Sequence, residues 1–157
     1  MREDCAACAF ATRPLDGLPT HSEAIAHDRA DRRAHFGDHL QSTEITKSIL
    51  RANPDLKGIF GADEGSAIGV VNGVSELGRS DVVVIGYDPG AAQMDAIRSG
   101  LMAGAITQNP VGIGYETVAA AVAAIKGEAV PAEIDTGFYY YDANNIDDPE
   151  IAAVLYE

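Results

Sequence analysis

Basic side chains are scarce in this chain: 11 Lys and Arg stand against 24 Asp and Glu, for a formal net charge of −13. That surface repels a phosphate backbone, whose binding needs cations to displace condensed counterions, so no nucleic acid partner is expected. Long apolar runs are also missing. None reaches the ~20 residues that cross a bilayer, so the chain is expected not to be membrane-inserted. The opening Met1-Arg2-Glu3-Asp4-Cys5 places acids where a signal peptide carries positive charge and an apolar stretch. As written, the expectation is a chain with no export signal, cytoplasmic if expressed in this form.

Cysteine is limited to Cys5 and Cys8. A Cys-x-x-Cys pair suits a redox couple or half a zinc site, but no second pair follows and no strand pattern precedes it. The histidines, His21, His27, His35 and His39, are spaced by six, eight and four residues, which fits no single helical face. They read as surface positions, and neither a metal nor a cofactor is expected.

What is present is enough for one modest core. At 157 residues and 46% hydrophobic content the chain can fold as a single compact domain. Its texture divides in two. Residues 1–41, rich in Arg, Asp, His and Ala, keep no sustained period and are expected to be poorly ordered; residues 42–157 are regular.

The regular part alternates helix and strand. Ser42 is expected to cap a first helix carrying Ile45, Ile49 and Leu50, which Pro54 ends. Gly58-Ile59-Phe60-Gly61 reads as a short buried strand entering the acidic loop Asp63-Glu64-Gly65. Ser66 is expected to cap the next helix, with Ile68, Val71, Val74 and Leu77 inward, Gly69 and Gly73 against a sheet, and Gly78 closing it. Val82-Val83-Val84-Ile85 has the β-branched continuity of a strand covered on both faces, and Gly86-Tyr87-Asp88-Pro89-Gly90 turns the chain after it.

A helix over about residues 91–99, a strand over 103–107, a helix over about 114–126 and a strand over 134–141 follow, with a short helix possible from Pro149. The order predicts an α/β fold: a Rossmann-like, mainly parallel sheet with flanking helices.

In open parallel sheets, ligands bind beyond the carboxyl ends of the strands, where residues distant in sequence meet. Asp63, Glu64, Asp88 and Gln108 each follow or end a predicted strand. Carboxylates accept from adjacent hydroxyls and an amide both donates and accepts, which matches the dense hydroxyl pattern of a monosaccharide. Acids after a strand also commonly cap the next helix, a reading that covers Asp63 or Glu64 ahead of Ser66.

Three ordered stretches carry a family resemblance: residues 52–69, Ala-Asn-Pro-Asp-Leu-Lys-Gly-Ile-Phe-Gly-Ala-Asp-Glu-Gly-Ser-Ala-Ile-Gly; Val84-Ile85-Gly86-Tyr87-Asp88; and Gly104-Ala105-Ile106-Thr107-Gln108-Asn109-Pro110. From about Gly37 to Ile146 the chain resembles the carboxyl-terminal part of type 1 periplasmic sugar-binding proteins of ABC transporters, of the ribose and galactose type. The resemblance implies Asp88 and Gln108 as sugar contacts. It also implies Asp63, although the family typically has Asn there; the carboxylate removes two donors and adds a charge.

The family has two α/β lobes that close over the ligand, and this chain is expected to supply mostly the second, a partial periplasmic-binding-protein fold. Residues 1–36 do not resemble the family. A misread frame, a decayed gene fragment and a genuine short variant are the alternatives for them.

The function implied is the substrate-binding component of a sugar ABC transporter, not an enzyme. Its partners would be a monosaccharide and, if full-length and exported, the transporter permease; its location by resemblance is the periplasm. The alternative is the effector domain of a lactose-repressor-type regulator, for which residues 1–36 lack a basic helix-turn-helix pattern. A Mg²⁺-dependent α/β enzyme is disfavoured because no phosphate loop and no Lys after a late strand are present.

Overall fold

The computed structural model describes residues 38–156. Cys5, Cys8, His21, His27, His35 and nearly all of the expected irregular segment 1–41 lie outside them. His39 opens the first helix and is exposed.

The elements in order are α1 (His39–Ala52), β1 (Gly58–Phe60), α2 (Glu64–Glu76), β2 (Val83–Tyr87), α3 (Ala91–Arg98), β3 (Gly104–Gln108), α4 (Pro110–Ile125), β4 (Phe138–Tyr141) and α5 (Pro149–Ala152). Alternation of helix and strand is thus as expected, and so is the mainly parallel sheet. Its order is β1-β2-β3-β4. Ile59 pairs with Val84 and Gly86 with Ala105 in parallel, while Ala105 pairs with Tyr141 antiparallel.

Three helix starts differ from expectation. Asp38, not Ser42, caps α1, its Oδ1 accepting from the amides of Leu40 at 2.9 Å and Gln41 at 3.1 Å. Ser42 lies buried inside the helix, where its hydroxyl donates to the Ser66 carbonyl of α2 at 3.2 Å. Asp63, not Ser66, caps α2. Ser66 sits three residues on, and the two exchange side chain and backbone in a capping box. The helix expected over 114–126 starts earlier, with Asn109 as N-cap and Pro110 in the first turn, where a missing amide costs nothing.

Two glycines also act elsewhere than expected. Gly69 and Gly73 face α1, not the sheet: a Cβ on Gly73 would lie 2.7 Å from Thr46 Cβ, and one on Gly69 would overlap the Ser42 side chain. The bare backbone lets the two helices approach closely.

One face of the sheet holds the core. Ile59, Val84, Ala105 and Tyr141 point to the side where Val70, Met94, Ile97 and Met102 close over them, with Ile49 and Leu50 of α1 in the same cluster. Each large aliphatic buried there contributes roughly 1.5–3 kcal/mol.

The opposite face is barely covered, since Val83 stays 54% exposed and Phe138 72%. The Val82–Ile85 run is therefore not covered on both faces. Sequential strand order with right-handed crossovers sends α2 and α3 to the same side, leaving the other open. The last strand is shorter than the expected 134–141 because Gly137, at φ 75°, breaks the extended path just before Phe138. Among the described residues no helix is long and apolar enough to cross a membrane.

Candidate functional site

β2 and β3 run side by side and end together, which brings the residues after them to one edge of the sheet. Tyr87 pairs with Ile106, and the Asp88 amide donates to the Ile106 carbonyl at 2.8 Å, extending the ladder one residue past β2. Gln108 is the last residue of β3, two positions along from Ile106 and on the same face. Its Nε2 donates to Asp88 Oδ1 at 3.2 Å. The structure thus joins two of the three candidate contacts directly.

Asp63 is employed differently. Its Oδ1 accepts from the Ser66 amide at 2.8 Å, while Ser66 Oγ accepts from the Asp63 amide and donates to its carbonyl, both at 2.9 Å. Among the described residues no hydrogen bond joins Asp63 to Asp88 or Gln108. The capping role accounts for this carboxylate without a ligand.

Glu64 reaches the Asp88 loop from α2. Gly90, two residues past Asp88, has no side chain, and a Cβ there would overlap the Glu64 carboxylate. The Glu64 carboxylate therefore lies against the turn backbone.

One phenol reaches the Asp88 turn from within the core. Tyr141 ends β4 fully buried, and its hydroxyl donates to the Asp88 carbonyl at 2.9 Å. Burial first, and then the negative charges of Asp88 and Glu64, push its hydroxyl well above the usual phenol range. Tyr156, half exposed, is raised by the same three causes in the same order. Of the two, Tyr141 uses its hydroxyl on the backbone of the Asp88 turn and not on either carboxylate.

Sequence reasoning missed Tyr141 and Gln93. The expected strand over 134–141 contains Tyr141, but antiparallel pairing with Ala105 is what carries it under the Asp88 loop. For Gln93 the one signal was a long polar residue next to the inward Met94 of α3. It is fully buried, and its Nε2 donates to the carbonyls of both Tyr87 and Asp88 at 3.0 Å.

A carboxylate and an amide brought together where adjacent parallel strands end place this chain in the class of open α/β folds whose ligands, when they bind, sit at the carboxyl edge of the sheet. This chain belongs to the periplasmic binding protein family, whose "Periplasmic binding protein domain" model matches residues 28–129.

The chain is 32% identical over 104 residues to the ribose import binding protein of Escherichia coli (strain K12), covering 66% of this chain and 35% of that protein. Among solved structures it is similar to an ABC transporter solute binding protein from Agrobacterium vitis bound with alpha-D-tagatopyranose: TM-score 0.76, 30% identity, 86% of this chain and 48% of that one. It is also similar to an "ABC transporter, LacI family transcriptional regulator" from Brachyspira murdochii: TM-score 0.62, 38% identity, 73% of this chain and 40% of that one. The chain therefore spans about a third of the curated relative and about half or less of the solved structures.

Proposed function

We propose that this chain carries the carboxyl-terminal half of a monosaccharide site and serves a sugar ABC transporter as its substrate-binding component, without catalysis. The observation that carries the reading is the Asp88–Gln108 hydrogen bond at the ends of adjacent parallel strands. A carboxylate and an amide held together present two acceptors and a donor to neighbouring ring hydroxyls. Family membership and the sugar-binding relatives support the same ligand class. Its working location on this reading is the periplasm, and its protein partner the transporter permease. Asp63 enters as a third contact only if one carboxylate oxygen remains available while the other caps α2.

The pair offers hydrogen bonds from one side. Burial of most of a ligand's surface is what gives tight small-molecule sites their affinity, so binding by this chain alone is expected on the order of millimolar. Titration of the ¹⁵N-labelled chain with D-ribose and D-tagatose tests this. Saturable shifts at the amides of Asp88 and Gln108 are expected; a submicromolar constant contradicts the one-sided site, and no saturable response to any monosaccharide removes the sugar-binding reading.

A second reading is favoured by the Brachyspira murdochii relative, which is described as both a transporter protein and a LacI-family regulator. On it the chain is an effector domain that answers to sugar by changing a DNA-binding partner segment. A net charge of −13 gives the chain itself no affinity for DNA. Co-purification of the chain with a DNA-binding partner whose retardation of DNA in a gel assay changes with sugar would favour the regulator; co-purification with a permease favours transport.

A further inference from the structure

Asp88 is the only residue other than glycine with positive φ among the described residues, at 65°. This left-handed conformation crowds a Cβ against the neighbouring carbonyl, so it persists only where surrounding structure holds it. The holding groups are visible. The Asp88 carbonyl accepts two hydrogen bonds, from the Tyr141 hydroxyl at 2.9 Å and from Gln93 Nε2 at 3.0 Å. Its amide is fixed to the Ile106 carbonyl at 2.8 Å, and the following Pro89 is buried.

Gln93 gives up something to do this. With both amide hydrogens directed at the Tyr87 and Asp88 carbonyls, its own Oε1 is left buried with no hydrogen-bond partner. A residue present only to fill the core would be Leu or Met, which bury no unsatisfied oxygen. Gly86 makes room for it, since a Cβ there would overlap Gln93 Oε1. Tyr141 likewise spends a polar atom in the core that Phe would not.

We infer that Tyr141 and Gln93 are positioning residues for the ligand site: their hydrogen bonds clamp the Asp88 carbonyl, fix the left-handed turn, and thereby aim the Asp88 carboxylate at Gln108 and at the ligand. Neither touches the ligand. Without the clamp the turn relaxes toward negative φ, and the carboxylate leaves the place where Gln108 meets it. The inference rests on the sugar-site reading for its consequence, but the clamp acts on the Asp88 backbone whether or not a sugar binds.

Two variants of the full chain test it. Tyr141→Phe removes one hydroxyl and keeps the ring; Gln93→Met removes both donors and keeps the volume. NMR of the labelled proteins reads the Asp88 Cα and Cβ shifts, which report φ, alongside a D-ribose titration and thermal unfolding. In the wild type, Asp88 is expected to show left-handed shifts. In either variant these shifts should move toward negative φ, and D-ribose binding should weaken roughly three- to tenfold, the measure of one neutral hydrogen bond.

A merely structural role would lower the unfolding temperature and leave the Asp88 shifts and the affinity unchanged, and that result in whichever variant folds overturns the inference. If the wild type shows no D-ribose response, the sugar reading fails while the Asp88 shifts still decide the clamp. If D-ribose binds but Asp88 keeps its shifts in the variants, the clamp fails and the sugar reading stands.

Discussion

Gln108 Nε2 donates to Asp88 Oδ1 across 3.2 Å, linking residues 20 positions apart through the shared ends of β2 and β3. The bond orients both side chains before any ligand arrives, which reduces the ordering that binding must otherwise supply.

Removing either partner should therefore cost affinity, and unequally. A hydrogen bond to a charged group is worth ~1.5–3 kcal/mol net and a neutral one ~0.5–1.5 kcal/mol. Asp88→Ala is expected to weaken D-ribose binding about 10- to 100-fold and Gln108→Ala about 2- to 10-fold, read from the same amide titration. Equal small losses would mean that the carboxylate does not meet the sugar.

Asp63 separates stability from binding. Loss of an N-cap side chain costs ~0.5–2 kcal/mol, whereas Asn caps as well as Asp. Asp63→Ala should lower stability by that amount in urea unfolding, and Asp63→Asn should not. If Asp63→Asn nonetheless changes the preference between D-ribose and D-tagatose, Asp63 is a contact as well as a cap; an unchanged preference leaves it a cap alone.

The strands were readable because hydrophobic runs and their bounding Gly and Pro report burial locally. Ile59, Val84 and Ala105 each fall where their sequence pattern places them. The positions of Asp88 and Gln108 at the ends of β2 and β3 were readable for the same reason, because a polar residue that closes a hydrophobic run marks the strand end. Ser42, Gly69 and Gly73 were misplaced because their partner is another helix, α1 against α2, and no local period encodes which surface a small residue meets. Tyr141 was hidden more deeply. Its role depends on β4 pairing antiparallel with β3 in one register, a long-range fact that a run of three tyrosines does not contain.

Gly73 and Gly114 make a matched test of the helix contact. Gly→Ala inside a helix ordinarily gains ~0.5–1 kcal/mol from intrinsic propensity. At Gly114 an added Cβ meets nothing within 4 Å, so Gly114→Ala should stabilise α4 by that amount. At Gly73 it would meet Thr46 Cβ and Cγ2 at 2.7 Å, and overpacking of this kind costs ~1–3 kcal/mol. Gly73→Ala should thus destabilise on balance. Two gains of the same sign in urea unfolding would show that α1 yields freely.

Tyr141 predicts the alkaline limit of the fold. Its folded pKa lies above its unfolded value near 10.0, chiefly through burial, so between the two the unfolded chain has released a proton that the folded chain still holds. Stability from this residue is fully present below pH 10.0 and is lost as pH rises toward the folded pKa. Tyrosinate absorbance should show Tyr141 ionising last, together with the loss of tertiary circular dichroism. In Tyr141→Phe that alkaline transition should move to higher pH. An unmoved transition would assign it to another group.

α4 is the least supported element, and its exposed face forecasts self-association. No residue of the helix is buried, and Val111, Tyr115, Val118, Val122 and Ile125 recur at intervals of three and four along one side, with Ile125 85% exposed. An apolar stripe of this kind is normally covered in a soluble protein. Burying each of its large side chains against another surface is worth ~1.5–3 kcal/mol, enough for a few of them to offset the cost of association. Sedimentation of the wild type is expected to show concentration-dependent oligomers. Val118→Glu with Ile125→Lys should return the chain to a monomer without lowering the stability of the sheet, because neither side chain belongs to the core. A wild type that stays monomeric at every concentration would mean that the stripe is covered within the chain itself.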